Sequence, residues 1–420
     1  MINFVYENIR DLVNYTGCTD INPSNIHRFA PSPLANSMLH RTQDQAQAYE
    51  IENRPQFYII PTGVNHHPND WTGSPLAYKN SRHNSFFYLS DIYLDDLRAG
   101  RAMLMFDQSL EGYQTEWLWQ YFHTECETYR INPKQLIYVT GNAIADEQYN
   151  LWAEQNGKQD RLSIVVYKHF EMDVKQAAKL DGIDFQEQID FKRGRIADIK
   201  TYNCLQKRLR PHRLWVYKYL YDNDLLDEGL VSMNRFESQS TYFEGKSIPA
   251  DEVAKINEQL PLILYGHNNN EQDDRYYIDR ILPQVHLDSW VSVISEASIG
   301  DSELTLFLSE KAFKPIACCH PFIFMGNRHS LAKLREMGYR TFDGFIDESY
   351  DDLPTWERMA AVIESVKKIA AIDDKLEWYQ DMREILEHNK RVLMSRVSWE
   401  NPAYVKLNKI FDKFVYDRTI

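Results

Sequence analysis

Short apolar runs alternate with helix-like segments along most of this chain, and that alternation restricts the fold more than any other feature. Phe57-Tyr58-Ile59-Ile60 runs into the turn Pro61-Thr62-Gly63, and Ala102-Met103-Leu104-Met105-Phe106 ends in Asp107. Gln135-Leu136-Ile137-Tyr138-Val139 ends in Thr140-Gly141-Asn142, and Ile164-Val165-Val166-Tyr167 makes a fourth run. Between them residues 116–130 and 143–155 read as helices. Strands separated by helices require crossover connections, and therefore a parallel sheet. The pattern restarts after the charged stretch Phe191-Lys192-Arg193-Gly194-Arg195. Strands are predicted at 200–205, 262–265, 290–294 and 322–324, with helices at 211–222 and from Ser309. A chain of 420 residues exceeds one ordinary core. The expectation is an α/β protein with a first domain over 1–195, a second over 196–350, and helices over 351–420, the last of which packs back on the first domain.

Composition excludes several classes. With 43% hydrophobic and 26% charged residues the chain reads as soluble and folded, rich in aromatic side chains for cores or stacking surfaces. No apolar run approaches the roughly 20 residues of a membrane span, and the first 25 residues carry no signal pattern, so no membrane partner and a cytoplasmic location are expected. The five cysteines, Cys18, Cys126, Cys204, Cys318 and Cys319, have neither zinc nor disulfide-framework spacing and are read as buried, reduced thiols. A net charge of −14 opposes nonspecific binding to nucleic acid over the whole surface but leaves room for a local basic cleft. No G-x-G occurs, and the Walker P-loop, H-E-x-x-H and G-x-S-x-G are also missing. Asp222-Asn223-Asp224 imitates a metal-binding D-x-D but falls at a helix end, where it reads as a surface turn.

Two segments carry the chemistry. In Ser309-Glu310-Lys311 a good N-cap opens a helix whose first-turn amides suit an anion. At the carboxyl end of a parallel strand, Glu310 would hold a sugar hydroxyl and Lys311 a phosphate. Gln206-Lys207-Arg208-Leu209-Arg210-Pro211-His212-Arg213 places a basic cluster at a strand-to-helix turn, where planar guanidinium groups match pyrophosphate oxygens. The alternative for this cluster is a solvated helix face.

The Ser-Glu-Lys element, its helix and the following His320-Pro321-Phe322-Ile323-Phe324 strand resemble the donor-binding segment of fucosyltransferase-like glycosyltransferases of GT-B architecture. They resemble still more closely a group of phage and large-virus proteins labelled glycosyltransferase, although His320 stands where glycine is common. The Asn203-Cys204-Leu205 to Arg213 segment resembles the opening of the second domain in that group. The resemblance, which covers chiefly 198–350, implies two Rossmann-like domains facing a cleft. It implies a nucleotide-sugar donor, with a UDP-sugar expected, held by Arg208, Arg210, His212, Arg213, Glu296, Ser309, Glu310 and Lys311. It also implies transfer without a metal or other cofactor. Glu296, at a strand end, would bind the donor sugar or ribose, or else make a structural salt bridge.

Asp107 is the first candidate for general base, because a carboxylate at a strand's carboxyl end can reach an acceptor hydroxyl. Its competing role is a cap. Glu111 and the His66–His67 pair are the alternatives, and both histidines are expected at the acceptor. The viral resemblance points to 5-hydroxymethylcytosine in double-stranded phage DNA as acceptor, reached by extruding the base. The alternatives are a glycan or surface-polysaccharide acceptor, which the acidic charge favours, and a noncatalytic viral interaction protein.

Overall fold

The structure is a computed structural model that describes residues 1–6, 33–41, 46–63, 89–112, 117–206, 208–236, 241–264, 280–397 and 400–419. His66 and His67, and Lys207 of the basic turn, lie outside the described residues. The chain forms two compact units. The first comprises 1–169, 304–306 and 397–420, and the second comprises 170–303 and 307–396. Residues 170–195 therefore group with the second unit, not with the first as expected, and so do the helices up to 396.

The first unit is built on strands β1 (Ile2–Tyr6), β2 (Ala46–Glu50), β3 (Tyr58–Gly63), β4 (Ala102–Gln108), β5 (Leu136–Thr140) and β6 (Ser163–Val166), in the order β2-β1-β3-β4-β5-β6. Every pairing is parallel. Such a sheet is covered on both faces, which explains why its strands are uninterrupted apolar runs. Within β4, Leu104 and Phe106 face one core, together with helices α1 (Asp91–Arg98), α2 (Trp117–Tyr129) and α3 (Ala145–Gln155). Met103 and Met105 face the other, with the helix Pro33–Arg41 and the C-terminal helix Pro402–Thr419. The C-terminal helix is tied in by three buried hydroxyls. Ser37 Oγ lies 2.8 Å from Tyr167 Oη, and Tyr167 Oη lies 3.2 Å from Tyr404 Oη, which also contacts Ser37.

The second unit repeats the plan with four parallel strands, β7 (Lys200–Gln206), β8 (Gly229–Met233), β9 (Ser289–Gly300) and β10 (Phe322–Asn327), ordered β10-β9-β7-β8. One continuous core unites the sheet with its helices, among them α4 (Pro211–Asp222), α5 (Glu310–Ala317), α6 (Ser330–Glu336) and α7 (Thr355–Ala370). Pro211 starts α4, where its missing amide proton costs nothing. The strand expected at 262–265 is absent among the described residues, where Leu262 makes a single antiparallel bridge to Met233. Strand β9 runs on to Gly300, well past the predicted 290–294.

Strands β1, β2 and β8 were not anticipated. The first residue of β8 is glycine because the Tyr202 ring crosses that position, and a Cβ there would stand 2.3 Å from Tyr202 Cζ. In both sheets the strand order reverses once, between β1 and β3 and between β7 and β9. The carboxyl ends at such a reversal form the crevice where open α/β sheets bind ligands.

Candidate functional site

The reversal between β7 and β9 gathers the basic turn and the Ser-Glu-Lys element in one place. Buried Arg213, in the first turn of α4, donates through Nη1 to the Arg208 carbonyl at 2.7 Å and through Nη2 to the Ser295 carbonyl at 3.4 Å. It thereby stitches the β7–α4 turn to β9. Burial and the neighbouring Arg210 pull its guanidinium down to about 10, still charged at neutral pH. His212 Nε2 donates to the Glu296 carbonyl at 3.0 Å. Burial, then the charges of Arg213 and Arg210, hold that ring far below the usual histidine range and therefore neutral. Neutrality with Nε2 as the donor places the lone pair on Nδ1.

Glu296 is the hub. Its fully buried carboxylate accepts from the amides of Ala297 (2.6 Å) and Ser309 (3.0 Å) and from the Ser309 hydroxyl. This holds the start of α5 against β9, with Glu296 inside the strand and not at its end as expected, because β9 continues to Gly300. Ser309 then acts as the N-cap, and its Oγ accepts from the Lys311 amide at 3.4 Å and from Lys311 Nζ at 3.2 Å. Lys311 Nζ also reaches the Glu310 carboxylate at 2.6 Å. Burial works to raise the Glu310 pKa, but the charges of Lys311 and Lys314 outweigh it and bring the group down to about 2. Glu310 is thus an anion with oxygens suited to hydroxyl groups.

Arg208 is exposed and Arg210 half-buried. Arg213 interacts with Arg210, Glu296 and Glu310, and Glu310 with Lys311 and Lys314, so cations and carboxylates share this neighbourhood. Ser295 Oγ and Arg213 Nε are buried there with no hydrogen-bond partner among the described residues. Such groups are the ones a ligand or ordered water satisfies.

All eight donor-site residues predicted from the sequence therefore lie in one neighbourhood, but they divide by role. Arg213, His212, Glu296 and Ser309 build the frame. Arg208, Arg210, Glu310 and Lys311 lie next to it, Arg208 exposed and the other three half-buried. The reading of the sequence missed Ser295, whose carbonyl receives Arg213, since a backbone acceptor leaves no mark on residue type.

In the first unit, Asp107 is buried, and its two carboxylate oxygens accept from the amides of Leu34 (2.5 Å) and Ser109 (3.0 Å). That is the geometry of a cap on the helix Pro33–Arg41. Glu111 is half-buried, and its carbonyl receives the Gly141 amide at 2.9 Å beside the end of β5. Asp222 pairs with Lys218 at 2.8 Å at the end of α4, as expected of a surface turn. Among the described residues no group of three or more His, Cys, Asp or Glu side chains could hold a metal ion, and no helix is long and apolar enough to cross a membrane.

Fold and site together define an α/β protein with two Rossmann-like units and a charged crevice at the reversal of the second sheet. No protein-family model matches the chain, and no curated protein matches it significantly.

Proposed function

We propose that this protein is a glycosyltransferase of the GT-B class that draws on a nucleotide-sugar, with the donor bound at the β7/β9 reversal of the second unit. The observation that carries this reading is the gathering of Arg210, Glu310, Lys311 and the Arg208 backbone around a frame locked by Glu296 and Arg213. Arg210, Arg208 and Lys311 would face the diphosphate, where planar forks and an ammonium offset its charge. Glu310, held ionised, would accept hydrogen bonds from sugar or ribose hydroxyls.

In the reaction the acceptor oxygen bonds to the anomeric carbon as the bond from that carbon to the phosphate oxygen breaks. The electron pair leaves with the diphosphate, and its growing negative charge is what fixed cations stabilise best. The acceptor proton passes to a carboxylate. Asp107 and Glu111 are the candidates for it, and Asp107 also accepts two backbone amides.

The test is a thermal-shift series with UDP, GDP, ADP, CMP and their common sugars on wild type, Arg210→Ala and Lys311→Ala. A ligand bound only by the folded state raises the melting temperature. Stabilisation by one nucleotide, lost in both variants, supports the reading and names the donor. No shift with any of them at millimolar concentration overturns it and leaves the noncatalytic alternative.

A further inference from the structure

A second pair of cations lies one strand away in the same sheet, and nothing above uses it. Arg358, in the first turn of α7, is 1% exposed. Its Nη2 donates to Asp301 Oδ1 at 2.6 Å, to the Gly300 carbonyl at 3.3 Å and to Thr355 Oγ1 at 3.4 Å. Its Nε and Nη1 are buried with no partner among the described residues, and the same holds for Nε of Arg328. Arg328 follows β10 directly, and Asn327 pairs with Gly300 across β9 and β10. Both guanidinium groups thus stand at the carboxyl end of that strand pair.

The arrangement is costly as it stands. Burial disfavours the Arg358 cation, Asp301 and Asp351 oppose that effect, and the like charge of Arg328 adds to it, leaving the group lowered overall. The two carboxylates have other work. Asp301 also receives the Thr355 amide at 2.8 Å, and Asp351 receives the Leu331 and Ala332 amides, each at 3.0 Å. Each buried donor left unmet costs about 1–3 kcal/mol, and more when it is charged. Proteins that keep such a group normally satisfy it with ordered water, a ligand or an ion.

We propose that Arg328 and Arg358 form an oxyanion site, taking a phosphate group at the carboxyl end of the β9–β10 pair. A tetrahedral oxyanion offers several acceptor oxygens on one centre, enough for nitrogens of both forks. Arg328 is half-buried and Arg358 is 1% exposed, so the pair spans the border between core and solvent. The site does not depend on the donor site proposed above.

The experiment measures melting temperature against inorganic phosphate at constant ionic strength. It compares wild type, Arg328→Gln, and the double variant Arg210→Ala with Lys311→Ala, with UDP as a second probe. Wild type and the double variant should both gain about 2 °C or more, saturating in the millimolar range, and Arg328→Gln should gain less than a quarter of that. Arg328 is half-exposed, so its replacement leaves the core intact; Arg358→Lys, which retains the charge but not the fork, should weaken the response by at least tenfold. A UDP response that survives in the double variant assigns the site to the phosphate of a bound nucleotide, and a response to phosphate alone assigns it to the free ion. The proposal is overturned if wild type gives no saturable shift, if Arg328→Gln responds like wild type, or if the double variant loses the response. That last result would place the ion at the β7/β9 turn, whereas loss of the UDP response alone in the double variant is what the donor site requires and leaves the oxyanion site standing.

Discussion

Acid should weaken the second unit through a buried histidine before its carboxylates titrate, and the size of the effect can be worked out at His286. This ring is 4% exposed, sits 3.4 Å from Ser292 Oγ through Nδ1, and lies 5.0 Å from the His320 ring. Burial, reinforced by the charges of Lys192 and Lys314, pushes His286 down to about 3. Lys192 is itself buried and donates to the carbonyls of His286, Leu287 and Ser289, so it is fixed in place. An unfolded histidine titrates near 6.5, so the folded state binds fewer protons than the unfolded state between about 6.5 and about 3. Stability is complete above that window and is lost as pH falls through it.

At about 1.4 kcal/mol per pH unit, lowering the pH to 5 removes ~2 kcal/mol through His286 alone, worth roughly 4–8 °C in a domain of this size. His320 and His212 are driven in the same direction by burial and steepen the slope. Glu348 and Asp351 are raised by burial, and their protonation works the other way. A comparison of wild type with His286→Asn cancels them. Urea unfolding of both proteins at pH 7, 6 and 5 should therefore show a variant whose stability falls by ~2 kcal/mol less than that of wild type. Parallel pH profiles for the two proteins would refute the reasoning.

Glu296→Gln should destabilise the second unit by about 2–4 kcal/mol, because an amide cannot accept from all three donors that meet the carboxylate. Urea unfolding measures this, and a loss under 1 kcal/mol would remove Glu296 as the hub of the frame. Cys318 and Cys319 are each pushed up to about 12 by burial, which denies them a thiolate. Peptide mapping after treatment with a maleimide at pH 7.5 should find both unmodified in the native protein and both modified in denaturant, and native labelling at either would contradict their burial.

The parallel α/β character of the chain was legible in its residues because both faces of such a sheet are buried. Runs like 102–106 then become continuous apolar segments that local reading detects, and Ser309 and Pro211 mark their helix starts through backbone chemistry that needs no partner from afar. Strand β2 escaped because this edge strand, Ala-Gln-Ala-Tyr-Glu, has two exposed polar residues and no continuous apolar run. The division of the chain at 169/170 also escaped, since it depends on which helices share a core.

The sequence alone determined which residue types gather near the β7–α4 turn and the start of α5. Only the tertiary structure decided what each does, because hydrogen bonds to backbone carbonyls and amides are set by register and packing. It made Arg213 and Glu296 a frame, turned Asp107 into a helix cap, and set Arg328 beside Arg358, which lie 30 residues apart in the chain.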